Sequence, residues 1–317
     1  MLTFLVKRLL LMIPVLLGIS FLTFALLAFA PGDYLSLALS SGAANPEGLA
    51  HIKAELGLGE PWFTRYLHYL VRLLHGDLGS SIVFGQPVSA QILAALPNTL
   101  VLTASSLLFA LTVAVVMGVL AGARPHSAVD YLASLVSVLG VAMPGFWLGL
   151  LLLVLFSLKL RWLPLGGGGL GNLSQGVWPF LSFLILPAVT LGAELTAILT
   201  RLTRNALLDV LGEDYIRTAR AKGVGQYRVL FRHALRNAAL PLVTTAGLQF
   251  GGLLGGAVII ETIFSWPGMG VLTINAITQR DLPMIQGAVL VFAALFVLVV
   301  LLTDVLYTWI DPRISYE

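Results

Sequence analysis

The chain has 317 residues, of which 58% are hydrophobic and 10% charged, with a formal net charge of +3 and no cysteine. Soluble domains are roughly 45–50% apolar, so this composition, with a mean hydropathy of +0.95, excludes a water-soluble domain and indicates an integral membrane protein. The lack of cysteine excludes disulfides, thiolate catalysis and cysteine-based metal sites.

Six apolar stretches are long enough to cross a bilayer, because a spanning helix needs about 20 apolar residues. The predicted spans are 9–31, 100–122, 131–158, 181–202, 240–261 and 285–309. The first span follows Lys7 and Arg8 and ends in an A-x-A-like pattern, as a signal peptide would. Its apolar run exceeds the roughly 7–15 residues of a signal peptide, so we interpret it as a retained anchor. The sequence predicts an all-α, polytopic membrane protein.

The distribution of positive charge predicts the orientation, because cytoplasmic loops carry an excess of Lys and Arg. An even number of spans places both termini on one side of the membrane. That side carries Lys7, Arg8, Arg124, Arg201, Arg204, Arg217, Arg220, Lys222, Arg228, Arg232, Arg236 and Arg313. The opposite side carries Lys53, Arg65, Arg72, Lys159, Arg161 and Arg280, spread over longer segments. We therefore expect both termini to be cytoplasmic.

The segments outside the membrane contain one predicted helix and several turns. Between the first two spans, PWFTRYLHYLVRLL shows helical spacing of its apolar residues, and HGDLGSS is typical of a turn. The glycine-rich stretch LGGGGLG at 165–171 lacks the lysine and the hydroxyl residue of a phosphate-binding loop. Any ATP hydrolysis that drives this protein should therefore belong to another chain.

No catalytic or metal site is predicted, because the five histidines are scattered and show no H-E-x-x-H spacing. Ionisable residues inside a span are functional candidates by default. Glu194 lies near the middle of the fourth span, where a buried hydrogen bond and a water-filled pathway are equally compatible with it. Gln249 and Glu261 in the fifth span complete the candidate pathway set.

Residues 203–239 form the longest polar segment on the inner face, and their pattern predicts two short helices. The first, DYIRTARAK, has an acidic start and a basic end, which suits the helix dipole, and Gly223-Val224-Gly225 ends it. In the second, Arg228, Arg232 and Arg236 lie four residues apart. Its predicted apolar face comprises Tyr227, Leu230, Phe231, Ala234, Leu235 and Ala238.

Nucleic acid, anionic lipid and a protein partner compete to explain this charge. Aromatic residues are too sparse for stacking on nucleic acid bases. The second helix suits a membrane surface, where its arginines could reach headgroups. The small residues Ala219, Ala221 and Gly223 of the first helix suit close docking into the groove of a partner.

Several motifs resemble one family, the permease subunits of bacterial ABC importers for dipeptides, oligopeptides or nickel. The motifs are RLLLMIPVLLGISFLTFALLAFAPGD, RYLHYLVRLLHGDLGSSI, LPNTLVL, DYIRTARAKGV, RHALRNAALP, ETIFSWPGMG, RDLPMIQG and DVLYTWIDPRI. In this family a cytoplasmic E-A-A-x-x-x-G motif forms a helix that docks into an ATPase subunit. Here the alignment places Arg217 and Thr218 at the motif's glutamate and first alanine, Ala219 at its second alanine and Gly223 at its glycine.

The resemblance implies a type I ABC importer transmembrane domain in a bacterial inner membrane. We expect residues 1–98 to form the first helix and an extracytoplasmic segment, 99–309 a five-helix domain with its coupling loop at about 203–239, and 310–317 a cytoplasmic tail. The implied ATPase-coupling residues are Asp214, Arg217, Thr218, Ala219, Arg220, Ala221, Lys222 and Gly223.

The implied partners are a second homologous permease, two ATPase subunits that carry ATP and Mg²⁺, an extracytoplasmic solute-binding protein and membrane lipids. No cofactor is expected on this chain. Peptides are the first expected solute, with nickel, glutathione or oligosaccharides as alternatives. A self-sufficient secondary transporter is the rival class, for which Glu194 is the best argument.

Overall fold

A computed structural model describes residues 2–29 and 59–310. Apart from one isolated antiparallel bridge between Ser80 and Pro87, regular structure in these ranges is helical. The α-helices are α1 (Leu2–Ala28), α2 (Trp62–Leu74), α3 (Val88–Ala123), α4 (Ala128–Ala142), α5 (Gly145–Leu152), α6 (Val177–Leu211), α7 (Asp214–Ala221), α8 (Gln226–Arg228), α9 (Leu235–Ile263), α10 (Met269–Thr278) and α11 (Leu282–Ile310). Two π-helical segments, Leu153–Lys159 and Val229–Ala234, and the 3₁₀ helix Leu170–Gln175 complete the set.

Within residues 2–29 and 59–310, five helices are long and apolar enough to cross a membrane. The apolar ranges are Val6–Leu27, Val88–Ala123, Val177–Leu211, Pro241–Ile263 and Leu282–Val305, which coincide with five of the six predicted spans. Residues 30–31 of the first predicted span, the external segment up to 58 and the tail 311–317 lie outside the described residues.

The remaining predicted span, 131–158, the third in chain order, is not one continuous helix. Helix α4 ends at Ala142, and the next helix leaves at an angle of 108°. Met143 between them is extended, with φ −86° and ψ 127°. The cause is local, because Pro144 follows and a proline disfavours the helical conformation in the residue before it. Counting the bent pair as one span gives six.

The chain divides into two units, Thr99–Trp266 with Leu298–Glu317, and Met1–Asn98 with Pro267–Val297. In the first of these, α3, α6 and α9 share a core that includes the buried side chains of Leu102, Leu199 and Trp266. Small residues allow the helices to approach closely, since a Cβ added at Gly192 of α6 would lie 2.7 Å from the Ser106 carbonyl oxygen of α3. Close approach at small residues is typical of helix packing in membranes.

The glycine-rich loop belongs to the same unit and is packed against protein. A Cβ added at Gly168 would lie 2.2 Å from the Phe183 Cβ, and one at Gly166 would lie 2.3 Å from the Phe264 carbonyl oxygen. That carbonyl accepts a hydrogen bond of 3.0 Å from the Gly167 backbone N–H. Lack of space for a side chain therefore explains Gly166 and Gly168, whereas Gly167 and Gly171 have open space around them.

In the other unit, α2 forms where the spacing predicts it. Its Tyr66 and Tyr69 are buried with Phe24 of α1, and the hydroxyls of Tyr66 and Ser20 lie 3.0 Å apart. The predicted turn follows, with the Gly79 N–H donating to Asp77 Oδ1 over 2.8 Å.

A buried carboxylate fastens this turn to the start of α11. Asp281 is 2% exposed, and it accepts hydrogen bonds from Ser81 Oγ and from the Ile82 N–H at 3.2 Å. Two sequence-distant segments of the unit therefore meet at one acidic side chain.

Candidate functional site

Helix α7 coincides with the first predicted helix of the polar segment. Asp214 lies in its first turn and Arg220 in its last, as the helix dipole favours. The helix ends at Ala221. Gly223, two residues later, has a φ of 78°, the left-handed conformation that glycine tolerates. The Val224 N–H donates to the Ala219 carbonyl over 3.1 Å, which closes the helix end. The predicted break at 223–225 is confirmed.

The polar segment is shorter than predicted at its start. Helix α6 continues to Leu211, so residues 203–211 extend the fourth span as helix and the connecting segment begins at Gly212. Thr203 and Leu207 are four residues apart and therefore lie on one face of the helix, and both are buried. This face keeps the extension packed against its neighbours.

A single buried residue attaches α7 to the rest of its unit. Ile216 is 0% exposed and is the one buried residue of this helix. It belongs to a cluster with Val119 of α3, Leu207 of α6, and Val229 and Ala234 of the following π-helix. Tyr215 Oη also accepts a hydrogen bond of 2.7 Å from Asn237 Nδ2. The cluster therefore joins α7 to the C-terminal parts of α3 and α6.

The remaining side chains of the predicted coupling set are accessible. Ala219 is half-buried, and the others are exposed: Asp214, Arg217, Thr218, Arg220, Ala221, Lys222 and Gly223. Arg217 Nη1 lies 3.1 Å from Asp214 Oδ1, but both side chains are largely exposed, and such surface pairs contribute little stability. The helix thus presents a short, basic surface built on one apolar anchor.

The second predicted helix has a different surface from the one expected. Val229, Ala234 and Ala238 are buried, whereas Tyr227 is 82% and Phe231 54% exposed. The two exposed rings stack at 6.3 Å with an interplanar angle of 10°. The residues of the predicted apolar face therefore lie in two environments, since Ala234 and Ala238 are buried and Tyr227 and Phe231 are exposed. Val229–Ala234 is π-helical, and i→i+5 hydrogen bonds change the angular spacing of side chains.

The three pathway candidates do not share one environment. Glu194 on α6 and Gln249 on α9 are exposed. Glu261 is 0% exposed, and it accepts a hydrogen bond of 2.6 Å from Thr99 Oγ1. Sequence reasoning missed that Glu194 begins an exposed polar stripe on α6, which continues through Arg201, Asn205 and Asp209. Intervals of seven, four and four place these residues on one helix face.

Sequence reasoning also missed a buried ion pair at the start of α4. Arg204 Nε donates to Asp130 Oδ1, and Arg204 Nη2 donates to Asp130 Oδ2 over 2.8 Å. The side chain of Asp130 is 4% exposed and that of Arg204 24%. The His126 N–H also donates to Asp130 Oδ2, over 3.0 Å. The local signal was Ser127 three residues before Asp130, the spacing of a capping box.

Among the described residues, no group of three or more His, Asp or Glu side chains could hold a metal ion. The exposed surfaces of α6 and α7 offer charge and hydrogen bonds to a partner or a solute, without a nucleophile and base arranged for covalent chemistry. The arrangement supports binding and movement.

Comparison with known proteins gives a consistent result. The profile of the family described as "Binding-protein-dependent transport system inner membrane component" matches residues 114–316, and the profile of the corresponding N-terminal region matches residues 1–103. The oligopeptide transport system permease protein AppB of Bacillus subtilis is 43% identical over the full length of both chains. The dipeptide transport system permease protein DppB of Escherichia coli K12 is 41% identical, and the glutathione transport system permease protein GsiC of Salmonella typhimurium is 40% identical, each over the full length.

The fold is also found among solved structures. A chain of the inward-facing methionine ABC transporter MetNI superimposes with a TM-score of 0.54 at 17% identity, covering 70% of this chain and 97% of that one. At this identity the likeness concerns the fold alone, and it confirms the predicted type I importer architecture.

Proposed function

The chain belongs to the family of inner-membrane components of binding-protein-dependent transport systems, and on this premise we propose that it translocates peptides as the permease of an ATP-driven importer. Members of this family are subunits of multicomponent, binding-protein-dependent transport systems, so the rival reading, a self-sufficient secondary transporter, is set aside. Full-length relatives named for oligopeptides and dipeptides support the peptide substrate. Glutathione, itself a modified tripeptide, is the second candidate, because a glutathione permease is similarly close over its full length.

The observation that carries the proposal is the exposed, anchored helix α7. In the proposed assembly, this permease pairs with a second, homologous permease and with two ATPase subunits that bind ATP and Mg²⁺. Residues 214–223 dock into an ATPase groove, with Ala219, Ala221 and Gly223 allowing close approach and the basic side chains at the rim. An extracytoplasmic binding protein delivers the peptide, and the second helix, with Tyr227 and Phe231, contacts membrane lipid.

We propose alternating access as the mechanism. ATP binding draws the ATPase subunits together, α7 follows them, and the pathway opens towards the loaded binding protein. Hydrolysis returns the pathway to the inside. ATP and the loaded binding protein must each bind the outward state more tightly than the inward one, because a ligand shifts an equilibrium only by its difference in affinity.

Glu194 and Gln249 are the proposed pathway residues on the exposed faces of α6 and α9. Glu261 stays a predicted pathway residue. Unlike Glu194 and Gln249, it is buried, and it accepts a hydrogen bond from Thr99. Replacing Glu194 with Gln should change the KM or the peptide selectivity of uptake without reducing the amount of complex. Unchanged uptake of cationic, neutral and anionic dipeptides would remove Glu194 from the pathway, and the same assay on Glu261→Gln decides its role.

Docking of α7 is tested by Ala219→Pro. A proline at this position removes a backbone donor and clashes with the preceding turn, at a cost of about 3 kcal/mol. We expect the ATPase subunits to be lost when the tagged permease is purified, and uptake to be lost with them. Ala219→Ser keeps the helix and should retain both. Normal ATPase recovery with Ala219→Pro would refute the docking role.

The orientation can be tested directly because the chain contains no cysteine. Single cysteines at the exposed positions Phe84 and Gln226 would be treated with a membrane-impermeant maleimide. In intact spheroplasts we expect labelling at position 84 and none at 226 until the cells are lysed. The reverse pattern would overturn the assignment of both termini to the cytoplasm.

The solute is tested with the complete importer and its own binding protein. Purified binding protein should bind dipeptides or oligopeptides, and vesicles containing the complex should accumulate the same peptides when ATP is supplied inside. Binding of glutathione in preference to simple peptides would select the second candidate. Binding of nickel or an oligosaccharide alone would refute the peptide proposal.

A further inference from the structure

The ion pair between Asp130 and Arg204 joins the start of α4 to the C-terminal part of α6. Helix α3 packs against the same part of α6, and α7 follows α6 in the chain. Arg204 is one turn before Leu207, which packs against Ile216 of α7. Asp130 is in the first turn of α4. The pair therefore connects the helix that carries α7 to the first half of the bent span.

Its geometry fixes α4 in both rotation and axial position. Both carboxylate oxygens of Asp130 accept from the Arg204 guanidinium, and a bidentate pair of this kind is directional as well as strong. The carboxylate is held from its own side by the His126 N–H, while Ser127 Oγ accepts from the Asp130 N–H over 3.3 Å. Rotation of the Asp130 side chain would therefore break all three hydrogen bonds that the carboxylate accepts.

A second tie further along makes α4 and α6 move together. A Cβ added at Gly140 of α4 would lie 2.9 Å from the Ala197 Cβ of α6. Gly140 is ten residues beyond Asp130 and Ala197 seven residues before Arg204, so the two ties are separated by about 10–15 Å along the helices. Two contacts spaced along antiparallel helices resist both sliding and pivoting of one on the other.

Helix α3 holds the same part of α6 from another side. A Cβ added at Gly118 would lie 2.4 Å from the Thr203 Cβ, and one at Gly122 would lie 3.2 Å from the Arg204 carbonyl oxygen. Arg204 is thus fixed through its backbone by α3 and through its side chain by α4. The beginning of α4 has no comparable glycine contact in the described structure and depends on Asp130.

We infer that Asp130 and Arg204 are positioning residues that transmit movement of α7 to α4, and through α4 to the 108° bend at Met143. Movement of α7 reaches α6 through the Ile216 cluster, and the ion pair makes α4 follow. Without the pair, α6 moves while the start of α4 lags behind, so ATP is hydrolysed with fewer solute molecules carried per cycle. The inference rests on the proposed function, because it requires α7 to receive the movement of the ATPase subunits.

The test is the ratio of solute imported to ATP hydrolysed by the complete importer in proteoliposomes. Arg204→Met alone leaves the buried carboxylate of Asp130 unpaired, which should lower the amount of assembled complex. The double variant Asp130→Asn with Arg204→Met leaves no buried charge, and its amide can still accept from His126. We expect the double variant to recover the amount of complex while its transport ratio stays about fivefold or more below that of the unmodified importer, the lower end of coupling between protein sites.

Arg124→Gln is the matched control. It removes one exposed cation from the short connection between α3 and α4 and should leave the transport ratio unchanged. A purely structural pair would restore both the amount and the ratio in the double variant, and that result would overturn the inference. An equal fall with Arg124→Gln would also overturn it, by assigning the effect to loop charge. Failure of the proposed docking is distinguished by Ala219→Pro, which reports ATPase recovery and does not alter the ion pair.

Discussion

Replacing Ile216 with alanine should detach α7 from its unit. The helix has eight residues, and helices shorter than about 12–15 residues are marginal on their own in water, so its structure depends on docking. Full burial of an isoleucine side chain contributes about 1.5–3 kcal/mol, and truncating a buried isoleucine to alanine costs about 2–5 kcal/mol. The substitution therefore removes an amount of free energy comparable to the whole apolar attachment.

Hydrogen exchange of the permease in nanodiscs measures this detachment. The Lys222 and Val224 amides donate within the helix end, over 3.0 and 3.1 Å. A cost of 2–5 kcal/mol increases the open population about 30-fold to 5,000-fold, up to the limit of complete opening, so both amides should lose their protection. ATPase recovery should fall as well, because a partner that needs the docked helix binds in proportion to its population.

Two controls make this result specific. Ile216→Val keeps most of the side chain and should cost about 0.5–1.5 kcal/mol, with a correspondingly small change in exchange. Ile259→Ala makes a matched truncation at a site that is 55% exposed, and should leave α7 unchanged. If Ile216→Ala exchanged like either control, the single-anchor reasoning would be refuted.

Three further predictions concern parts of the chain outside α7. Gly168→Ala should lower the thermal unfolding temperature of the purified permease, because the new Cβ would overlap a neighbour at 2.2 Å and overpacking costs about 1–3 kcal/mol; Gly171→Ala, with open space around it, should not. Burial raises the pKa of Tyr69 from 10.0 to about 12, so its contribution to stability is complete below pH 10 and is lost as the pH rises to 12; Tyr69→Phe should flatten a thermal stability profile over that window. Asp281→Ala removes the acceptor for the Ser81 hydroxyl and the Ile82 N–H, at about 1.5–3 kcal/mol for hydrogen bonds to a charged group, and should speed protease cleavage at 82–86 in membrane vesicles that expose this turn.

Each of these has an outcome that contradicts it. Equal melting temperatures for the two glycine variants would mean that the loop yields without cost. A stability profile of Tyr69→Phe that falls between pH 10 and 12 as steeply as that of the unmodified permease would assign the loss to another group. Cleavage of the Asp281→Ala variant at the original rate would show that the turn is held by its own backbone bonds.

The elements that could be predicted from the sequence are those set by local rules. A bilayer requires long apolar helices whatever the neighbours are, so five spans coincide with their apolar runs. Helix α7 could be predicted because its acidic start, its basic end and its terminal glycine all lie within one short segment. The proposed docking role of α7 required the family resemblance as well, because small residues such as Ala219 and Ala221 suit the groove of a partner without identifying that partner.

The features that could not be predicted depend on contacts between distant residues or on small changes of winding. Pro144 indicates a break but not a 108° bend, since the angle is set by what α5 packs against. Regular α-helical spacing placed Tyr227 and Phe231 on a single apolar face, and six π-helical residues were enough to separate them from Ala234. Asp130 and Arg204 are 74 residues apart, and no pattern in either segment identifies the other as its partner.

The ties within the larger unit follow from the solvent in which it folds. Lipid tails are as apolar as leucine, so burying apolar side chains does little to bring spans together, and association depends on close packing and polar contacts. The contacts that fix one helix against another are accordingly small residues, as at Gly118 and Gly140, and polar pairs, as at Asp130 and Glu261. Because α4 carries two such contacts along its length and ends at Ala142, we expect a displacement of α6 to be taken up at the bend, where Pro144 has no N–H to donate to a hydrogen bond.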